Sequence, residues 1–236
     1  MHPRQVCAIP SFAVTSSLPS SGSAPVYAYP LGDALYLNLT SACTLACTFC
    51  PKIRDQDFTV GGFDLRIRQP PSAEEVWVSV EARGLTGWSE VVFTGLGEPT
   101  HRLPVLLEIV RKLKASGVRR VRLDTDGLAS LREGRDVTGD LAAAGLDAIS
   151  ISVNASDPDT YARVCPNRYG GEAWHAVCAF VRQAVAVIPE VTGSCVALPG
   201  LSQEACRAVV EGLGARFRWR RYDLIGRAQS PAPPVA

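Results

Sequence analysis

The chain has 236 residues, and its 24 Lys and Arg nearly balance its 23 Asp and Glu. Such a balance gives no overall field to recruit nucleic acid or an anionic membrane, and the longest apolar runs are far too short to span a bilayer. A chain this long can bury most of its apolar surface without disulfide staples, so one barrel-sized or doubly wound domain is the simplest organisation.

The N-terminus has no basic-then-apolar signal pattern and is broken by Pro3, Pro10, Pro19 and Pro25. A cytoplasmic, reducing setting is therefore expected, where clustered cysteines read as metal or catalytic sites. Residues 1–30 are rich in Ser, Pro and Ala without a sustained period and are expected to form a flexible arm. A core at 31–226 follows, with structure starting near Tyr27–Tyr29, and 227–236 is a proline-broken tail.

The first firm strand is residues 35–39, Leu-Tyr-Leu-Asn-Leu. Next come Cys43, Cys47 and Cys50 in a C-x3-C-x2-C array, then a polar, glycine-broken stretch over 52–71. Ser72 with Glu75 opens a helix that runs to about Arg83. From there strands at 91–94, 121–123, 148–153, 191–198 and 217–222 alternate with helical patterns at 104–116, up to 144, from Asp157, at 171–188 and at 202–213. Six strands alternating with helices predict an α/β fold with right-handed crossovers, as an open sheet or partial barrel. Ligands in both gather at the C-terminal ends of the strands.

The unusual residues fall at those ends. After the first strand comes the cysteine loop, and after the second Thr94-Gly95-Leu96-Gly97-Glu98-Pro99-Thr100. After the third comes Asp124-Thr125-Asp126-Gly127, and the fourth alternates Ser150, Ser152 and Asn154 against Ile149, Ile151 and Val153. A purely structural inner face would be Val, Ile or Leu. The three thiolates can converge on one metal centre and leave a coordination position open, where four would close it. Zinc completed by a distant fourth ligand is the alternative, although the spacing is unlike paired C-x2-C knuckles.

Of the other cysteines, Cys7 sits in the N-terminal segment, and Cys206 falls on an apolar helix face with Val209, Val210 and Leu213. Cys178 and Cys195 read as packing residues. Cys165, in Cys165-Pro166-Asn167-Arg168, reads as a buried thiol or as part of a substrate mouth. His101 reaches a substrate or lies on a solvated loop. Arg216, Arg218, Arg220 and Arg221 alternate with Phe217 and Trp219. They suggest an RNA or phosphate contact, or a solvated edge, which the near-zero net charge favours.

The C-x3-C-x-aromatic-C array, with Gly97-Glu98-Pro99 about 45 residues later at a strand end, resembles the radical S-adenosylmethionine (SAM) enzymes. The order of Leu35–Thr40, the cysteine loop, Val60-Gly-Gly-Phe63, Gly95–Thr100, Arg122–Gly127 and Ile151–Ala155 is more narrowly similar to the TatD-family-associated radical SAM proteins. The likeness covers about residues 27–225. It implies a partial (β/α)6 TIM-like barrel with parallel strands. It also implies a [4Fe-4S] cluster on Cys43, Cys47 and Cys50, its fourth iron chelated by the amino and carboxylate groups of SAM.

On the same resemblance, Glu98 accepts hydrogen bonds from the methionine ammonium while Gly95 and Gly97 give room. Phe49 lies beside the adenine, Ser152 and Asn154 face the ribose or the methionyl carboxylate, and Thr125 and Asp126 complete the pocket. One electron, from a donor such as flavodoxin or ferredoxin, cleaves the sulfonium to a 5′-deoxyadenosyl radical. Leu96 splits the family's usual glycine pair, and Asp126 stands where the subfamily usually has Asn. The substrate, a small molecule or a macromolecule, is not identified. Glycyl-radical activation, ring contraction of the 7-carboxy-7-deazaguanine type, and RNA or peptide modification are the reactions considered. A non-catalytic metal-binding or redox-sensing module is the reading from another class, and the polar strand ends argue against it.

Overall fold

The computed structural model describes residues 24–222. The tail at 227–236, Cys7 and most of the expected arm lie outside the described residues. In chain order the elements are β1 Ala28–Leu31, β2 Ala34–Leu37, α1 Pro51–Arg54, β3 Thr59–Val60, β4 Phe63–Asp64, α2 Ala73–Glu81 and β5 Val91–Phe93. A 3-10 turn at Pro99–Arg102 leads into α3 Leu103–Ala115, β6 Val121–Thr125, α4 Ala129–Glu133 and α5 Thr138–Ala144. Then follow β7 Ala148–Ser152, α6 Pro158–Val164, α7 Glu172–Val187, β8 Glu190–Val196, α8 Gln203–Gly212 and β9 Arg216–Arg220.

Local chemistry starts the helices where the sequence signals stand. Ser72 accepts from the Glu75 amide while the Glu75 side chain caps Ser72 in return, a complete capping box for α2. Asp157 accepts from the Thr160 amide ahead of α6, and Ser202 accepts from the Ala205 amide ahead of α8. Gly145 leaves α5 in the left-handed conformation that glycine adopts at least cost.

The sheet has seven strands in the order β1-β2-β5-β6-β7-β8-β9. β2 through β9 pair in parallel, and β1 adds an antiparallel edge. The sequence pattern does not mark β1, α1, β3, β4 or α4 as separate elements, and β9 begins one residue earlier than expected. Alternation divides the sheet into two faces. On β6, Val121 and Leu123 are buried in the helix-facing core. Arg122 and Asp124 line a cavity instead. On β7, Ile149 and Ile151 lie in the core while Ser150 and Ser152 line the cavity.

That cavity, of about 280 Å³, is also lined by Tyr29 and Leu31 of β1 and by Arg218 and Arg220 of β9. The two ends of the sheet thus curl toward one lumen without pairing, which is a partial barrel with a polar interior. The helix layer carries the stability. Leu123 is fully buried, so Leu123→Ala is expected to lower unfolding free energy by about 2–5 kcal/mol, read as a lower denaturant midpoint at unchanged slope.

Candidate functional site

The cysteine loop leaves β2 and is held on several sides. The Ala46 amide donates to the Pro166 carbonyl at 2.8 Å and the Thr48 amide to the Val164 carbonyl at 3.0 Å. Leu45 bridges to Asn167, and Thr44 Oγ1 meets His101 Nε2 at 3.0 Å. His101 therefore braces the loop and does not line the cavity. Cys50 caps α1, with Pro51 at the first helical position, where a missing N–H costs nothing.

All three cysteines are free thiols. Cys47 and Cys50 line the cavity together with Phe49, while Cys43 is exposed beside it. Among the described residues no three His, Cys, Asp or Glu side chains converge on a point that could hold one ion. A cubane takes each thiolate on a separate iron, so its three ligands need not converge on one point as the ligands of a single zinc do. The Cys43 residue is exposed overall, yet its thiol is crowded by protein, and that desolvation, with the nearby Asp126 and Glu98 carboxyls, pushes it up to about 12. Cys47 is pushed up by its contact with Cys165 and by burial. Thiols in such a setting ionise readily only with a cationic centre to hold.

Behind the cysteines lies a buried hydrogen-bond node on Glu98, which is 3% exposed. Its Oε1 accepts from the Thr100 amide at 3.0 Å, the Thr100 hydroxyl at 2.6 Å and the Thr125 hydroxyl at 2.8 Å. Its Oε2 accepts from the Asp126 amide at 2.7 Å. The Glu98 amide donates in turn to the Ala42 carbonyl at 2.8 Å. One carboxylate thus ties the ends of β5 and β6 to the start of the cysteine loop. Arg132 supports it from outside by donating to the Thr100 carbonyl and hydroxyl at 2.7 and 2.9 Å.

Asp126 is the partner that this saturation leaves unsatisfied. Its Oδ1 accepts from the Leu128 amide at 2.9 Å, but its buried Oδ2 has no hydrogen-bond partner. Burial and the adjacent Glu98 raise its carboxyl well above the ordinary range, against the smaller opposing pull of the Leu128 amide, Arg132 and the nearby Thr44 side chain. Two buried carboxyls side by side, one of them with an idle oxygen, are what an arriving ammonium would stabilise.

The expected site residues divide accordingly. Cys47, Phe49, Cys50, Gly95 and Ser152 share the cavity. Glu98, Thr125 and Asp126 form the node. Gly97 differs from expectation, because a Cβ there would lie 2.0 Å from the Thr40 carbonyl oxygen. Its missing side chain makes room for the chain's own cysteine loop. Gly95 is similar on one side, where a Cβ would meet Asn38 Oδ1 at 2.6 Å.

Asn154 does not extend the Ser150–Ser152 row into the cavity. The strand ends at Ser152, Asn154 takes a left-handed φ of 57°, and its Nδ2 lies 3.5 Å from Cys165 Sγ. Its Oδ1, like that of Asn38, is buried without a partner. Cys165 is fully buried, with Sγ 3.4 Å from Cys47 Sγ. It is a buried thiol that also packs against the cysteine loop, and spacing along the chain gave no sign of that contact. Arg216, Arg218 and Arg221 are exposed, as a solvated edge requires, although Arg218 also borders the cavity. Arg220 alone departs from that expectation, being half-buried on the cavity wall.

The family model that matches the chain is described as "Radical SAM superfamily" and covers residues 37–212. The chain belongs to the radical SAM superfamily. A probable GTP 3′,8-cyclase of Metallosphaera sedula is 32% identical over 158 residues, which is 67% of this chain and 44% of that protein. A GTP 3′,8-cyclase of Synechococcus elongatus is 32% identical over 157 residues, 65% of this chain and 42% of the other. This radical SAM chain spans less than half the length of those relatives.

Among solved structures, Streptococcus suis SuiB bound to precursor peptide SuiA superposes with a TM-score of 0.60 at 16% identity, covering 85% of this chain and 43% of SuiB. A radical SAM methyltransferase of Sphaerobacter thermophilus gives 0.53 at 16% identity, covering 85% and 71%. At such identities the likeness is one of fold. Membership of the superfamily brings a [4Fe-4S] cluster and SAM as cofactors. The donor set fits both, with three free thiols on one loop and an idle carboxylate oxygen beside them.

Gly97→Ala is expected to cost about 1–3 kcal/mol by forcing the two loops apart. It should also lower iron incorporation, measured as iron per chain beside the thermal midpoint. Glu98→Gln would set an amide NH2 against protein donors. A stability loss of about 1–3 kcal/mol and weaker SAM binding are expected, read by denaturation and by equilibrium dialysis.

Proposed function

We propose that this chain is a radical SAM enzyme that reductively cleaves SAM and directs the resulting radical at a substrate held in the lumen. The observation that carries this reading is the idle Oδ2 of Asp126, buried beside Glu98 and close enough to Cys43 and Cys47 to raise both thiols. A buried carboxylate without a partner is costly, and a cationic ligand removes the cost.

Cys43, Cys47 and Cys50 would hold the [4Fe-4S] cluster, leaving one iron without a protein ligand. When bound, cluster and SAM together supply one-electron cleavage of the sulfonium and a 5′-deoxyadenosyl radical. The chain's own part is positioning. Asp126 Oδ2 would accept a hydrogen bond from the methionine ammonium, while Glu98 is committed to aligning Thr100, Thr125 and the Asp126 backbone. This shifts the ammonium contact from Glu98 to its neighbour.

Phe49, 7% exposed on the cavity wall, would give the adenine an apolar surface, and Ser152 lines the same space. A one-electron donor of the flavodoxin or ferredoxin kind completes the requirement. Among the described residues no helix is long and apolar enough to cross a membrane.

Anaerobic reconstitution should give about four irons per chain, and addition of SAM and dithionite should release 5′-deoxyadenosine. An intact cluster with no such product would sink the proposal. Replacing any one of Cys43, Cys47 or Cys50 by Ala should abolish the product. Asp126→Ala should weaken SAM binding at least tenfold, whereas Asp126→Asn, which keeps an oxygen acceptor without the charge, should weaken it less. Equal SAM affinity in the wild type and Asp126→Ala would return the ammonium contact to Glu98.

A further inference from the structure

The lumen is lined by three arginines and a single carboxylate. Its charged lining consists of Arg122, Asp124, Arg218 and Arg220. Arg122 is already neutralised, because its guanidinium bonds Glu90 at 2.9 and 3.1 Å and also pairs with Asp124. Arg120 and Arg216, near the opposite ends of the strands, pair with Glu90 and Glu190. Arg220 differs from all three. Among the described residues it makes no ion pair, although it is half-buried on the cavity wall.

The inward direction of these arginines is enforced by packing. Phe217 and Trp219 alternate with them on β9 and pack against the hydrophobic core. A one-residue slip would exchange the two sets, burying guanidinium groups under α8 and exposing the rings. Register then places Arg218 beside Ser194, which is itself beside Ser152. Arg220 lies level with Val196, two residues further toward the strand ends where Cys47, Cys50 and Gly95 stand. Across the cavity, Tyr29 and Tyr36 of the first hairpin form an aromatic wall, their ring centroids 5.7 Å apart.

We propose that this lumen binds a carboxylate or phosphate oxyanion of the substrate, with Arg220 as the principal anchor and Arg218 and Ser152 beside it. The proposal rests on reading the same cavity as the radical SAM active site and names the chemical class that the site accepts. An arginine stays protonated at any ordinary pH, so Arg220 cannot relieve its burial by neutralising. Its pKa is nonetheless drawn downward by burial, with Arg218 and Arg122 adding to the effect and the nearby Asp124 only partly opposing it, without forming an ion pair. An oxyanion would reverse that pressure through charge-assisted, fork-shaped hydrogen bonding. Anchoring the anion there would leave the rest of the substrate extending toward Ser152 and the cysteine loop, where the radical is generated.

The test is calorimetric titration of the anaerobically reconstituted full chain with inorganic pyrophosphate and, in a second arm, with malonate, each with and without saturating SAM. Saturable binding of at least one anion that persists with SAM present is expected, weakened at least tenfold in Arg220→Gln. Arg220→Lys, which keeps the charge but not the fork, should fall between. Arg216→Gln, on an exposed residue paired with Glu190, should titrate like the wild type. The tighter arm identifies the anion as phosphate or carboxylate.

Three results would overturn the proposal: neither anion binds, Arg220→Gln binds as tightly as wild type, or SAM abolishes binding. The second would mean an adventitious ion only, and the third would assign the arginines to the cofactor. A wild type that yields no 5′-deoxyadenosine but passes the titration would refute the enzymatic reading alone, so the two failures are distinguishable.

Discussion

The carboxylate of Glu98 is the joint on which the upper rim of this sheet depends. It is buried, and it accepts hydrogen bonds from residues following β5 and from the end of β6, while its own backbone amide reaches Ala42 at the start of the cysteine loop. Each bond is made away from water, where an acceptor binds its donors strongly and a lost partner is costly. Commitment of Glu98 to the scaffold has a chemical consequence. The neighbouring Asp126 cannot share those donors, so its second oxygen remains idle and its carboxyl resists ionisation until a cation arrives.

The same economy of space joins the two functional loops. Thr40 and Ala42 carbonyls occupy the volume that a side chain at Gly97 would take. Val164 and Pro166 hold the other side of the cysteine loop, and Cys165 packs its sulfur against Cys47. The thiols are therefore presented by a loop with backbone hydrogen bonds on both flanks. Preorganisation of this kind keeps reacting groups in register without an ordering cost at each turnover.

Alternation along the strands separates stability from chemistry. Leu123, Ile149 and Ile151 face the helices and hold the domain together, while Arg122, Asp124, Ser150 and Ser152 face the lumen. Polar residues survive there because the barrel is only partial and its lumen is a cavity, whereas a closed barrel of this size fills its interior with side chains. The inward arginines of β9 follow the same rule: Phe217 and Trp219 take the core face, and Arg218 and Arg220 are left with the lumen.

Much of this was legible in the sequence. Periodicity located the six parallel strands, since apolar alternation is a local property of the chain. The capping box at Ser72 and Glu75 and the glycine after α5 were equally local. The short β1 was harder, because four residues beside a proline-rich segment carry little pattern, and α4 has only five residues. The cysteine loop, Gly-Leu-Gly-Glu-Pro and the polar face of β7 named the site by residue type and position at strand ends. Their division of labour did not follow. Gly97 and Gly95 looked like room for a ligand, yet their close neighbours belong to the chain itself, and Asn154 continued an alternation that the backbone breaks with a left-handed turn.

The sequence by itself determined the six parallel strands, the cysteine array and the acid at the second strand's end, because each is written in neighbouring residues. Only the tertiary structure decided that Glu98 serves the scaffold and Asp126 keeps the idle oxygen, since that depends on donors 27 and 28 residues away. It also decided that Cys165 meets Cys47 across 118 positions and that two arginines of the last strand face the first hairpin. Curling the sheet brings the ends of the chain's order to one cavity, and no local pattern records that closure.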